Sequence, residues 1–139
     1  MTLNSQKSTT HLALLILRVM VGVVFIYHGG STIFASGGMS GFADTLADNG
    51  VPIPTVSAWA AKASELICGV LLVVGLFVHL AVIPLIGVMV VAILMFHGHA
   101  FSITNKPVPG MEYNLILISA MVAIGILGPG RYGIKPPRD

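Results

Sequence analysis

Charge is what this sequence has least of. Lys, Arg, Asp and Glu make up 9% of its 139 residues, against 55% for the hydrophobic types, whereas soluble chains carry roughly 25% charged residues. Water is therefore not its main solvent, and a soluble helical bundle is the weaker reading. The formal net charge is only +2, and no basic patch is interleaved with aromatics, which speaks against a nucleic-acid partner. Cysteine is nearly missing. Cys68 stands alone, so neither an internal disulfide nor a paired-thiol relay can be built from this chain. Any redox role must use another group.

What is present is a series of apolar runs. Crossing a hydrocarbon core of about 30 Å takes roughly 20 residues of helix, and spans are predicted at about 12–34, 57–77, 80–97 and 111–128. The first run follows Lys7 and precedes Ala35-Ser36-Gly37, an arrangement that resembles a signal peptide. A secretory apolar region is only about 7–15 residues long, however, and this run is longer and contains Arg18, so it reads as a retained helix. The expected fold is all-α: one domain over 1–139, an integral membrane four-helix bundle.

The connections add detail. Phe42, Ala43, Leu46 and Ala47 recur at helical spacing, with Asp44 and Asp48 on the other side, which predicts a short amphipathic helix on the outer membrane surface. Asn49-Gly50 closes it. Ser57 is a plausible N-cap for span two, and Trp59 fits an interfacial anchor. Only Val78 and His79 separate spans two and three, which predicts a tight hairpin, and Pro84 would fall in the first turn or so of span three. Lys7, Arg131, Lys135 and Arg138 flank the termini, against Lys106 alone in the connections on the opposite face. The positive-inside rule then places both termini in the cytoplasm.

With directions assigned, depth follows from a rise of about 1.5 Å per residue. His28, Lys62, His97, His99 and Glu112 fall toward the outer end, with Glu65 about one turn deeper than Lys62, near the midplane, so each span directs an ionisable group toward one outward-facing region. Arg18 is the exception, some 7 Å along the bilayer normal from Glu65 by the same rise. A charged side chain at mid-bilayer costs at least about 2.5–3.5 kcal/mol, so Arg18 and Glu65 should face inward and pair, with Lys62 one turn from Glu65 on the same face. Such a cluster could be only a buried strut. A strut leaves the gathering of His28, His97, His99 and Glu112 without a reason, which favours a functional site. His97-Gly98-His99 looks like a metal pair, but residues two apart on a helix diverge, so no metal is expected. Haem ligation by His28 and His97 has no motif beyond the two residues. The glycines of the spans, among them Gly22, Gly29, Gly69, Gly75, Gly87 and Gly125, suit close helix approach.

Leu17-Arg18, His28-Gly29, Gly50-Val51-Pro52-Ile53-Pro54, Glu65-Leu66, Leu72-Val73-Val74-Gly75-Leu76 and Gly128-Pro129-Gly130 succeed one another in an order and spacing that resembles the DoxX family over nearly the whole chain. These are small bacterial inner-membrane proteins, named for a subunit of a quinone-linked oxidoreductase that handles thiosulfate. The resemblance implies a quinone as cofactor and the bacterial inner membrane as location. The family's usual basic residue shortly after the His-Gly is replaced by Thr32, so Lys62 would have to take its part.

The expected function is a membrane subunit of a quinone-linked redox system, with a head group entering between the helices at a site open toward the outer face. Glu65 or Glu112 would exchange protons, and His28 or His97 would hydrogen-bond a carbonyl oxygen. Arg18 with Lys62 would hold the carboxylate charged or stabilise a reduced anion. The chain offers no electron carrier, so a partner redox protein is expected, or a homo-oligomer, beside the lipid bilayer itself. The rival readings are a carrier for a small solute or proton and an assembly subunit whose cluster is purely structural.

Overall fold

A computed structural model describes residues 3–96 and 111–134 of the protein. Among them run α1 (Leu3–Phe34), α2 (Gly38–Asp48), α3 (Pro54–Val74), α4 (Val78–Phe96) and α5 (Met111–Leu127), with no strand. Three stretches, Ser8–Phe34, Pro54–Val74 and Val78–Met95, are long and apolar enough to cross a membrane, and Met111–Leu127 is a shorter apolar helix. Each buries a narrow stripe and leaves large apolar residues such as Ile16, Ile67, Ile83 and Ile116 exposed. Outward-facing apolar side chains of this kind suit a lipid surround.

Helix boundaries depart from the apolar runs where backbone chemistry overrides hydropathy. α1 starts well before the apolar run, because nothing in its polar first turns breaks a helix. α3 starts at Pro54, whose fixed φ suits a first helical position, after Ile53 in the left-handed region at φ 51°. Ser57 is therefore not the N-cap; it lies inside the helix and its Oγ donates to Pro52 O at 2.9 Å. The hairpin between α3 and α4 is Gly75-Leu76-Phe77 and not Val78-His79. Gly75, at φ 79°, ends α3, and the Gly75 and Leu76 amides both donate to Leu71 O, at 2.8 and 3.0 Å. Val78 and His79 already belong to α4, so Pro84 lies inside that helix and not in its first turn. Membrane helices tolerate such a proline because neighbouring groups satisfy the freed carbonyl.

α1 and α3 run antiparallel in close contact, and glycine makes this possible. A Cβ built on Gly22 would sit 2.7 Å from Gly69 O, and one on Gly69 would sit 2.9 Å from Gly22 O. Toward the other end, a Cβ on Gly29 would lie 2.7 Å from both Leu66 N and Lys62 O. Backbone atoms cannot turn aside as a side chain can, so Gly29→Val should push the two helices apart. The expected cost is that of overpacking, about 1–3 kcal/mol, read as a lower unfolding temperature in detergent. Gly87→Ala is the contrast: its Cβ meets nothing within 4 Å, and better helix propensity should make it neutral or stabilising by up to about 1 kcal/mol.

The core runs through α1, α3, α4 and α5 by way of Phe25, Leu72, Leu85, Met121 and Ile124, and a smaller cluster seats Ala43 and Leu46 of α2 on Ala58 of α3. Asp44 and Asp48 stay exposed. At the hairpin end, His79 ties α4 to α5: its Nδ1 lies 2.7 Å from Gly125 O, and since a carbonyl can only accept, Nδ1 carries the proton.

Candidate functional site

The polar groups do not gather in one cluster; they divide between the two ends of the bundle. Arg18 is 1% exposed and belongs to the hairpin end. Its Nη1 donates to Pro129 O, and its Nη2 to Tyr132 O at 3.4 Å. Gly75 and Gly133 form the cradle: a Cβ on either would overlap the guanidinium. Nε is buried without a partner among the described residues. The expected Arg18–Glu65 bridge is therefore not formed. The register explains why, since Arg18 lies against Gly75 while Glu65 lies against Gly29, eleven residues or about 16 Å along α1. Depth counted from Leu12, the start of the apolar run, puts Arg18 about 9 Å inside the bundle, whereas its guanidinium lies level with the hairpin glycine Gly75.

At the other end, Lys62 and Glu65 stand one turn apart on the inner face of α3, and Lys62 Nζ donates to Glu65 Oε2 at 2.8 Å. Both are buried, at 8% and 3% exposure. An isolated buried charge is costly, and mutual pairing with good geometry offsets much of that cost. α2 supplies a second compensation: Lys62 Nζ lies 4.6 Å from the centre of the Phe42 ring, within cation–π range.

The pair borders a cavity of about 590 Å³ that receives residues from all five helices. Its walls are mainly apolar, with Val24 and Phe25 from α1, Leu46 from α2, Met89 from α4 and Leu117 from α5. Polar groups enter it at a few points: His28, Ser57, Lys62, Ser64, Glu65, Tyr113 and Asn114. The His28 ring is exposed at the rim, with ring centres 6.1 Å from Tyr27 and 6.4 Å from Tyr113. An apolar chamber with a few convergent polar groups is the usual form of a small-molecule site.

Of the residues singled out from the sequence, the structure brings His28, Lys62 and Glu65 together around this cavity. Glu112 opens α5 beside Tyr113 but is not among the lining residues, and Arg18 lies at the opposite end. His97 and His99 fall outside the described residues. Among the described residues, no group of three or more His, Cys, Asp or Glu could hold a metal ion. Asn114 and Phe42 are the residues that sequence reasoning missed. Asn114, an amide at 3% exposure inside an apolar helix, could have been found as a polar group in a span; nothing in the sequence ties Phe42 to Lys62.

The quoted family strings acquire physical meanings here. His28-Gly29 pairs a cavity group with a helix contact, Glu65 belongs to the buried ion pair, and Gly75 and Pro129 receive Arg18. No curated protein and no solved structure matches the chain. The family model for DoxX does, over residues 13–98, a stretch that contains Arg18, His28, Lys62, Glu65 and Gly75 and exceeds half of the sequence. The chain is a member of the DoxX family.

Proposed function

We propose that this protein is a four-span subunit of a quinone-linked redox system in the bacterial inner membrane, and that its cavity receives the quinone head group. The observation that carries the reading is the buried Lys62–Glu65 pair at the wall of a largely apolar 590 Å³ chamber with His28 at its rim. The shorter apolar helix α5 serves as the fourth span. With the Lys and Arg of both termini on the cytoplasmic side, the cavity occupies the outer half of the bundle and α2 lies on the outer surface.

The residues present fit such a head group. A flat ring with two carbonyl oxygens needs apolar walls and one or two well-placed donors, and Phe25, Leu46, Met89 and Leu117 provide the walls. Lys62 has three N–H donors, of which Glu65 engages one, so others remain to hold a carbonyl oxygen. Glu65, fixed by the same contact, can take or release a proton at its carboxylate oxygens. His28, at the rim, can pass that proton between the chamber and the outside. Phe42 covers Lys62 from the α2 side and limits water there. When bound, a quinone would supply two-electron, two-proton redox chemistry, for which a partner redox protein provides the electron path.

Extraction of the purified protein followed by mass spectrometry is the test. The expected result is a co-purified quinone that is lost from Glu65→Gln while the variant remains monodisperse. Solute flux into liposomes without a bound quinone would favour a carrier instead. A protein with neither quinone nor flux, whose Glu65 variants lose only folded yield, would leave the ion pair a structural strut.

A further inference from the structure

The cavity has an opening whose position says from where a ligand arrives. α3 and α4 are joined at the Gly75-Leu76-Phe77 hairpin, and the chamber begins farther along both helices. On α3 it is lined by Ala60 and Ser64, on α4 by Gly87 and Val91. Ala60, Gly87 and Val91 are themselves exposed, so the chamber reaches the outside of the bundle between these two helices. Ser64 lies eleven residues before Gly75, and Gly87 ten after Phe77, which puts the inner edge of the opening about 15 Å above the hairpin. Ala60 and Val91 lie about one turn farther. In a hydrocarbon core about 30 Å thick, that depth is occupied by acyl chains and not by water.

Apart from Val91, the residues named at the gap are small. A Cβ added at Gly87 meets nothing within 4 Å, and Ala60 and Ser64, which line the same cavity from α3, carry only one or two heavy atoms each beyond Cα. A slot walled in this way passes an extended chain, whereas the Lys62–Glu65 pair deeper inside requires a polar head that accepts a hydrogen bond.

Building on the quinone reading above, we infer that the ligand enters sideways from the bilayer through the gap between α3 and α4, and that its apolar tail remains threaded between Ala60 and Gly87. Gly87 and Ala60 thereby set specificity for a single-tailed, membrane-resident amphiphile over a water-soluble head group alone.

The test compares two ligands on the full protein in nanodiscs: a long-tailed ubiquinone and a short-tailed, water-soluble ubiquinone analogue. Wild-type protein should bind both, and the long-tailed form more tightly. Gly87→Phe places a ring in the slot and should weaken the long-tailed ligand at least tenfold while changing the short-tailed one less than twofold. Ala60→Phe blocks the same slot from α3 and serves if Gly87→Phe does not fold. Val90→Phe, on an exposed face of α4 that does not line the cavity, should leave both affinities unchanged. If slot variants weaken both ligands equally, or neither, lateral entry is overturned while the head-group site stands. If wild-type protein binds neither ligand, the quinone reading itself fails, and this inference with it.

Discussion

Glu65→Ala will lower the stability of the protein by about 3–5 kcal/mol, the usual consequence of removing one partner from a buried ion pair. Lys62 is 8% exposed, and its ammonium is 2.8 Å from the carboxylate that the substitution deletes. What remains is a cation in a largely apolar chamber, with the Phe42 ring 4.6 Å from its ammonium. Removing both charges should be far milder, because neither member is then left uncompensated. Lys62→Met with Glu65→Leu is therefore expected to restore most of the folded yield and unfolding temperature, giving a large coupling energy in the double-mutant cycle. The restored protein should carry no quinone. Thermal unfolding in detergent, with size exclusion, reads the first effect and mass spectrometry the second. A Glu65→Ala protein as stable as wild type would mean that water reaches Lys62 freely.

The second large effect concerns the opposite end. Gly75→Ala places a side chain at φ 79°, where an L-residue is strained by roughly 1–2 kcal/mol, and its Cβ would overlap the Arg18 guanidinium. We expect a loss greater than strain alone predicts, together with release of the segment after α5. Arg18→Met should show that release without the strain: hydrogen exchange or protease cleavage over residues 128–134 rises at least tenfold, while the α1–α3 contact is kept. Hydrogen bonds to a charged group are worth about 1.5–3 kcal/mol, so the anchoring is substantial. Arg18→Lys should not restore it, since a single ammonium cannot span two carbonyls as the guanidinium fork does. In Arg18→Met, adding Gly75→Ala should cost less than in wild type, because the collision has been removed. Equal costs in both backgrounds would show that the cradle is not shaped for Arg18.

Much of this arrangement was legible in the residues. Apolar runs announced the long helices, and the three-residue spacing of Lys62 and Glu65 announced their contact, because side chains so spaced share a helix face. His28 was expected at the same end and is found there. The glycines were expected to mark close approach, and Gly22, Gly29 and Gly69 do so. Gly87 does not; it leaves space open in the cavity wall.

The rest was hidden for identifiable reasons. Arg18 bonds to backbone carbonyls, and every residue has a carbonyl, so no sequence pattern points to Pro129 or Tyr132. Charge complementarity favoured Glu65 instead, and counting depth from the start of the apolar run made that pairing look reachable, because α1 begins before that run and Arg18 lies level with Gly75. Hydropathy could not place the hairpin, since Val74, Leu76, Phe77 and Val78 are all apolar; the left-handed glycine places it. Glu112 was assigned to the site by depth alone. Depth fixes a level in the bundle but not the face of a helix, and Tyr113 and Asn114 line the cavity in its stead.

The tie between Arg18 and Pro129 joins positions 111 residues apart. During biosynthesis α1 emerges long before its acceptors exist, so its guanidinium must wait in the translocation channel or at the membrane surface for the segment after α5 to arrive. Closure of this clasp is thus a late event of assembly, and a chain halted before Gly128 would retain an orphaned cation, a feature by which cellular quality control can tell an incomplete protein from a finished one.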